Sequence, residues 1–322
     1  MNEFELIARF FSRPARASSV HLSVGDDAAL LAASPGCEIA VSVDMLVGGR
    51  HFFADTDPEK LGHKTLAVNL SDMAAMGASP RWALLAGALP EGDVAWLSAF
   101  ARGFHALADA HGVDLVGGDT TRGPLNLCVT IMGEVPTGSA LLRSGAVVGD
   151  DVYVSGVLGD AALAVAAMKG RTRLSADALA AVRAKLETPV PRIALGEALR
   201  GVATAALDVS DGLVGDLSHI LEKSGVGAVL DLASIPRSPV IAGLFGKAEH
   251  ELAVECLLAG GDDYELCFTV PPAAAARVAQ IASRTAVPLA RIGTITRGPG
   301  LVVRDERGVP MPELPRSYDH FA

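Results

Sequence analysis

Several absences limit what this 322-residue chain can do. Its four cysteines are far apart with no CxxC pair, so we expect free thiols in a reducing compartment rather than disulfides or a zinc site. No apolar run reaches the roughly 18 residues of a membrane span, and no signal peptide is evident. The net charge of −10 argues against nucleic-acid or anionic-membrane binding. We therefore predict a cytoplasmic protein without nucleic-acid or membrane partners.

The common signatures of nucleotide-binding enzymes and hydrolases are also missing. The chain contains no GxxxxGK[ST], no HRD or DFG of protein kinases, and no GxGxxG after a predicted strand. GxSxG and HExxH are absent as well, which weakens the hydrolase and metalloprotease interpretations. Aromatic residues make up only 5% of the chain. The small aliphatic residues that remain suit closely packed layers of helix and sheet.

Strand and helix patterns alternate along both halves of the chain. Alternating apolar residues predict a strand over Glu38 to Leu46, and helical spacing predicts helices over Pro58 to Gly77 and Val94 to His111. A short strand over Val113 to Val116 should run directly into residues 117–121, which places Asp119 just after the strand. This alternation predicts an α/β (α+β) fold class.

A change in composition marks a domain boundary. Residues 136–149 are rich in Gly, Ser and Pro, and a second α/β series begins after them. We therefore predict an N-terminal domain over 1–137 and a C-terminal domain over 138–322.

The candidate functional residues are acids, most of them at predicted strand ends. Asp44 lies near the end of one strand, Asp119 just after another, and Asp208 and Asp211 at a strand-to-helix turn. Ligands bind at strand ends in α/β sheets, and side-chain alternation places Ser42 on the same face as Asp44. Oxygen ligands without His or Cys suit Mg²⁺ better than zinc or copper.

One further acid, Asp72, lies within a predicted helix of small and apolar residues, Asn69 to Ala78. No Lys or Arg occurs between Leu66 and Pro80, and a buried carboxylate is costly without a partner. Two interpretations stay open. Asp72 is either a core acid bonded to backbone amides or a ligand of a metal site completed by the other acids.

Some residues have the chemistry to contact phosphate. Paired glycines precede Asp119 and Asp262, and they let the backbone approach a phosphate closely. Arg143 lies in a Gly-flanked loop, where it is either a bidentate phosphate ligand or a surface arginine. Lys64 could also reach phosphate, but the pattern around it favours a solvated helix face. Asp211 could instead cap the helix that follows it.

Eight segments between residues 25 and 321 form a recognisable series. Together they resemble, in order, the motifs of the thiamine-monophosphate kinase family, within the larger group related to aminoimidazole ribonucleotide synthetase. The segments are Gly25 to Ala29, Val41 to Asp44 with His51 and Phe52, Asn69 to Ala78, Gly117 to Pro124, Arg143 to Ala146, Asp208 to Leu213, Gly260 to Leu266, and Tyr318 to Phe321.

The resemblance implies ATP-dependent phosphorylation of thiamine monophosphate by direct in-line transfer on a Mg²⁺–carboxylate cluster. It also implies a homodimer whose N-terminal domains complete a β-barrel and whose C-terminal domains are α/β sandwiches. Several Mg²⁺ ions are implied, with ATP as co-substrate. The implied metal ligands are Asp27, Ser42, Val43 through its backbone, Asp44, Asp72, Asp119, Asp208 and Asp211.

The resemblance also implies contacts to both substrates. The ATP contacts are Gly118, Asp119, Arg143 and Ser210, and the thiamine phosphate contacts are His51 and Asp262. Tyr318 is the predicted stacking residue, because the preceding tail carries no additional aromatic. Asp72, Asp119 and Arg143 are assigned to phosphoryl transfer itself. The alternatives are another ATP-dependent enzyme of the superfamily and a non-catalytic protein that binds divalent cations or nucleotides.

Overall fold

The computed structural model describes residues 3–318, which fold as two compact units. The first unit contains the chain up to Met73 together with Ala78–Gly138, and the second contains Ala74–Gly77 and the chain from Ser139 onward. The predicted tail motif Asp319 to Phe321 lies outside the described residues. Within the described residues, no helix is long and apolar enough to cross a membrane.

The first unit is organised around a mixed sheet, called here the N-terminal sheet, with strand order β3-β6-β4-β5. Strands β4 and β5 run parallel, and the other neighbours run antiparallel. The elements of this unit, in chain order, are α1 (Glu3–Phe10), β1 (Val20–Leu22), β2 (Leu30–Leu31), β3 (Cys37–Val47), α2 (Pro58–Ala75), β4 (Ser79–Leu89), α3 (Val94–His111), β5 (Asp114–Arg122) and β6 (Asn126–Pro136). The last two residues of α2 belong to the second unit.

Two glycines allow α2 and α3 to cross closely. A Cβ placed on Gly103 of α3 would lie 1.8 Å from the Glu59 carbonyl oxygen of α2. A Cβ on Gly62 of α2 would lie 2.0 Å from the Phe100 carbonyl oxygen of α3. Since no side chain fits at such distances, the two helix backbones are in direct contact.

The two faces of the N-terminal sheet differ in burial. Leu127, Val129 and Ile131 alternate along β6, and each is at most 2% exposed, so they form part of the core. On edge strand β3, by contrast, every second side chain is apolar and exposed. These residues are Ile39 (49%), Val41 (62%), Val43 (58%) and Met45 (50%).

The second unit contains the C-terminal sheet, with strand order β12-β9-β11-β7-β10-β8. Its neighbours pair antiparallel except β12 and β9. The elements are β7 (Asp151–Ser155), α4 (Asp160–Met168), α5 (Ala176–Glu187), α6 (Ile193–Leu199), β8 (Ala205–Val209), α7 (Leu213–Ser224), β9 (Gly227–Asp231), a 3-10 turn (Leu232–Ser234), α8 (Pro239–Ala242), α9 (His250–Ala259), β10 (Glu265–Val270), a 3-10 turn (Pro272–Ala274), α10 (Ala275–Thr285), β11 (Leu289–Thr296) and β12 (Gly300–Arg304).

The structure corrects one prediction that matters for function. The sequence places Asp119 just after the end of a strand, but residues 117–121 lie inside β5, where Asp119 pairs with Ala86 of β4. The strand continues because Gly118 keeps its ladder position at a φ of 153°, and a Cβ there would lie 1.9 Å from the Leu85 carbonyl oxygen. A glycine is therefore required at this close strand contact.

Candidate active site

In the first unit, two hydrogen bonds join β3 to α2, and both involve the segments that carry the predicted acidic ligands. The Ser42 hydroxyl donates to Asp72 Oδ2 at 2.5 Å, and the Asp44 backbone N–H donates to Asn69 Oδ1 at 3.1 Å. Asn69 and Asp72 share one helix face because they are three residues apart. Ser42 and Asp44 share one strand face, as strand alternation predicts.

The environment of Asp72 discriminates between its two interpretations. The side chains of Ser71 and Met73 are fully buried at 0% exposure, whereas Asp72 itself is only half-buried. Its carboxylate therefore retains access to solvent next to the Ser42 hydroxyl. A half-buried carboxylate beside a hydroxyl oxygen favours a ligand role over that of a core acid.

The remaining predicted ligands of the first unit lie apart from this pair. Asp27 is exposed in a bend, where its backbone N–H bonds the Asp26 carboxylate at 2.9 Å. Asp119 is exposed on β5, at the opposite edge of the N-terminal sheet from the β3 residues Ser42 and Asp44. Three strand spacings separate these edges, roughly 14 Å. Across residues 3–318, no three His, Cys, Asp or Glu side chains are close enough together to hold a metal ion.

His51 lies in the loop after β3, and its ring orientation is fixed by the backbone. Its Nδ1 accepts the Val47 N–H at 2.9 Å. An accepting ring nitrogen carries no proton, so the proton of the neutral ring is on Nε2, which can donate to a ligand. The Lys64 ammonium donates to the His51 carbonyl oxygen at 3.2 Å.

The solvated position predicted for Lys64 is wrong. Its side chain is 2% exposed, although its charge would normally keep it in water. The sequence pattern of α2 did not reveal this, because the apolar residues of the helix are not confined to one face.

In the second unit, the turn after β8 is held by one carboxylate. Asp216 Oδ2 accepts the backbone N–H groups of Ser210, Asp211 and Gly212, each at 3.0 Å. Burial raises the pKa of Asp216 to about 6; the N–H group of Asp211 opposes this rise, and the negative charge of Asp211 adds to it. Asp208 is the penultimate residue of β8 and is buried at 7% exposure.

A second turn, residues 260–264, packs against the first through backbone bonds. The Asp262 N–H donates to the Ser210 carbonyl oxygen, and the Tyr264 N–H donates to that of Val209, both at 2.8 Å. Asp262 and Tyr264 have φ values of 68° and 52°, which are strained for residues with a side chain. The Tyr264 hydroxyl donates to Asp262 Oδ1 at 3.0 Å and fixes that carboxylate.

Two buried acids anchor the ends of this second turn. Both oxygens of Asp263 accept the Gly159 N–H, at 3.0 and 2.8 Å, and burial raises the pKa of this carboxyl well above its usual value. Glu265 is ion-paired with Arg192 and accepts the Ser155 hydroxyl at 2.5 Å. These contacts make the turn rigid relative to the C-terminal sheet.

Tyr318 joins the same group of residues, whereas Arg143 does not. The Tyr318 backbone N–H donates to the Asp211 carbonyl oxygen at 3.3 Å, and its side chain is 49% exposed. The Arg143 side chain is exposed, and its carbonyl oxygen accepts the Ser224 hydroxyl at 3.4 Å. The second unit therefore brings together the predicted residues Asp208, Ser210, Asp211, Asp262 and Tyr318.

Sequence reasoning missed two residues that organise these groups. Asn69 was within a quoted motif but was assigned no role, although its position three residues before Asp72 placed both on one helix face. Asp216 was not considered, although an acid in the first turn of a helix is a recognised signal for backbone capping.

Comparisons with known proteins agree with this arrangement of motifs. The model of the AIR synthase related protein N-terminal domain matches residues 25–135, and that of the C-terminal domain matches residues 147–306. The thiamine-monophosphate kinase of Salmonella typhimurium strain LT2 is 45% identical over 99% of this chain and 98% of its own length. The chain belongs to the thiamine-monophosphate kinase family. The family model confirms the predicted AIR synthase-like fold of two α/β domains.

Solved structures of the family give the same result. The crystal structure of thiamine-monophosphate kinase from Stenotrophomonas maltophilia K279a has a TM-score of 0.87 and 45% identity, covering 97% of this chain and 98% of that one. A structure described as AaThiL complexed with AMPPCP and TMP has a TM-score of 0.76 and 28% identity, covering 90% and 89%.

Proposed function

We propose that this chain transfers the γ-phosphoryl group of ATP to thiamine monophosphate, giving thiamine diphosphate and ADP. The observation that carries the proposal is the 45% identity to a thiamine-monophosphate kinase over 99% of the chain. A relative was also solved with AMPPCP and TMP. The acceptor is a phosphate whose second pKa is about 6, so it is ionised at neutral pH and needs no general base. This agrees with the lack of a catalytic His–Asp arrangement in the motifs.

The proposed metal site consists of oxygen ligands only. Ser42 and Asp72 are within hydrogen-bond distance of each other, and Asp44 lies on the same strand face as Ser42. This donor set fits Mg²⁺, which would neutralise charge on the two polyanions and align their oxygens. By analogy with the family, the proposed ligands of the several Mg²⁺ ions are Asp27, Ser42, the Val43 backbone, Asp44, Asp72, Asp119, Asp208 and Asp211.

The proposed substrate contacts use groups with suitable chemistry. By analogy with the family, Gly118, Asp119 and Arg143 contact ATP, and the Arg143 guanidinium can donate a pair of hydrogen bonds to a phosphate. The Ser210 hydroxyl completes the proposed ATP contacts. His51, whose ring is oriented by the Val47 N–H, is the proposed contact to the thiamine phosphate, and Asp262 and Tyr318 are the other proposed substrate residues.

We propose that the domain over 1–137 binds ATP and Mg²⁺ and also forms the homodimer as a shared β-barrel, and that 138–322 forms the second domain. The apolar stripe Ile39, Val41, Val43 and Met45 supports the dimer, because β3 is a sheet edge with its apolar side chains exposed. The cytoplasmic location stays a prediction.

A direct assay tests the proposed function. The chain is incubated with Mg²⁺, ATP and thiamine monophosphate, and ADP and thiamine diphosphate are measured together. We expect equimolar products and no reaction when EDTA removes the metal. Absence of thiamine diphosphate, with turnover of an aminoimidazole precursor instead, would contradict the assignment and favour the superfamily alternative. Binding of Mg²⁺ or ATP without any turnover would favour the non-catalytic alternative.

A further inference from the structure

The turn after β8 uses its backbone N–H groups in an unusual way. Three consecutive amides, those of Ser210, Asp211 and Gly212, converge on the single oxygen Oδ2 of Asp216 at 3.0 Å each. The carboxylate is 6% exposed and belongs to the first turn of α7, whose N-cap is Gly212. Asp216 therefore supplies from within the chain the negative charge that such a cluster of amides favours.

This arrangement excludes one way of binding phosphate. The free amides before a helix form a common anion site in nucleotide-binding proteins. Here the same amides are already bonded to a carboxylate, whose charge would repel a phosphate placed on the same side. The turn therefore presents its side chains, and not its backbone amides, to a ligand.

The carbonyl groups of the turn are also used, so its backbone is held from both sides. The Ser210 oxygen accepts the Asp262 N–H at 2.8 Å, and the Asp211 oxygen accepts the Tyr318 N–H at 3.3 Å. The orientation of Ser210 and Asp211 is consequently determined by two sets of hydrogen bonds. Their N–H groups donate to Asp216, and their carbonyl oxygens accept the N–H groups of Asp262 and Tyr318.

We infer that Asp216 is a positioning residue for phosphoryl transfer, which holds the Asp211 carboxylate and the Ser210 hydroxyl in the geometry that binds the Mg²⁺–nucleotide complex. The inference rests on the proposed function, in which Asp208, Ser210 and Asp211 contact Mg²⁺ or ATP. Asp216 acts through Ser210 and Asp211, whose N–H groups it accepts, and touches neither substrate.

The variant Asp216→Asn tests the inference. Asparagine keeps the shape and one accepting oxygen but loses the charge that strengthens the three bonds. We expect the Mg²⁺ concentration at half-maximal rate to rise roughly 10- to 100-fold, the usual effect of losing a residue that orients metal ligands. The maximal rate at saturating Mg²⁺ should fall far less. An unchanged Mg²⁺ dependence and rate in the folded variant would overturn the inference.

Glu134→Gln provides a matched control. Glu134 is a carboxylate with 4% exposure in the first unit, and it accepts the Ser34 N–H at 2.6 Å and the Ser34 hydroxyl at 2.9 Å. Its neutralisation removes a buried charge away from the turn, one that is also ion-paired with Arg81 at 3.1 Å. We expect a loss of thermal stability without a shift in the Mg²⁺ dependence. An equal shift in both variants would show a general effect of destabilisation and overturn the inference.

Hydrogen exchange on the wild-type chain provides a readout that needs neither a variant nor activity. Without ligands, the amides of Ser210, Asp211 and Gly212 should exchange slowly, and exchange at the rate of an open loop would overturn the inference. If Asp216→Asn does not fold, Asp216→Glu retains the charge at a longer reach. In calorimetry, AMPPCP binding to Asp216→Glu should then require a higher Mg²⁺ concentration than binding to the wild-type chain. Binding equal to that of the wild type would also overturn the inference. If the proposed function fails, the wild-type protein itself shows no kinase activity, and this distinguishes that outcome from a failure of the inference about Asp216.

Discussion

At the scale of single residues, the structure assigns different tasks to acids that look alike in the sequence. Asp72 is half-buried and faces the Ser42 hydroxyl, Asp216 is buried and bonds three amides, and Asp263 is bonded to the Gly159 N–H. An acid that retains solvent access can bind a metal, whereas one whose oxygens are taken by N–H groups holds the backbone. The environment, and not the residue type, therefore determines the role of each.

The variant Asp72→Asn tests the role of the Asp72 carboxylate. The Ser42 hydroxyl can still donate to the asparagine oxygen, so we expect the fold to remain intact. Loss of the charge should lower turnover at least about a hundredfold, because losing a group that only orients ligands already costs 10- to 100-fold. Turnover and thermal unfolding would be measured on the same preparation.

A control for this variant is Asp93→Asn. Asp93 is the exposed N-cap of α3 and accepts the Ala95 N–H at 2.8 Å, and asparagine is an equally good cap. We expect normal turnover and stability. Near-normal turnover of Asp72→Asn would show instead that Asp72 is only a structural acid.

At the scale of elements, the crossing of α2 and α3 is the feature most sensitive to a single added methyl group. The crossing supports the helix that carries Lys64, Asn69 and Asp72, so its geometry determines where those side chains lie relative to β3. The contact depends on Gly62 and Gly103, where the helix backbones touch.

We therefore predict that Gly103→Ala destabilises the protein. Overpacking costs up to about 3 kcal/mol, and the better helix propensity of alanine returns about 1 kcal/mol, so a net loss of roughly 2 kcal/mol is expected. Urea unfolding would measure it. Gly92→Ala is the control, since a Cβ on Gly92 meets no atom within 4 Å. A Gly103→Ala variant as stable as the control would contradict the proposed close crossing.

The element patterns were largely readable from the sequence. Helix α3 begins at Val94 and ends at His111 as predicted, because Asp93 caps its start and Gly112 its end. Strand β3 (Cys37–Val47) contains its predicted span, Glu38 to Leu46, and extends one residue beyond it at each end. Strand β9 (Gly227–Asp231) was not predicted. Its five residues do not alternate between apolar and polar side chains, so the pattern does not distinguish a strand from a loop.

At the scale of the whole molecule, the exposed stripe of β3 departs from the pattern of a well-buried protein. Its four aliphatic side chains are 49 to 62% exposed along one edge strand. An edge strand of this kind is a hazard for aggregation unless it is covered, which is why we propose a homodimer formed by the N-terminal domain.

The variant Val41→Lys tests this proposal. A charge in the middle of the stripe should convert the dimer into a monomer at micromolar concentrations, because an unpaired buried charge is costly. Sedimentation velocity would measure the oligomeric state. Val309→Lys is the control, since Val309 is similarly exposed at 56% in the second unit. A wild-type monomer, or a Val41→Lys dimer of unchanged affinity, would contradict the homodimer.

The sequence by itself determined the alternation of helices and strands, the shared face of Ser42 and Asp44, and the order of motifs that identifies the family. These depend on local periodicity and residue chemistry. Only the tertiary structure decided that Asp119 lies inside β5 at the far sheet edge, that Lys64 is buried, and that Asp216 holds the turn after β8. Such facts depend on strand order and on which side chains converge after packing, and residues distant along the chain give no local signal of either.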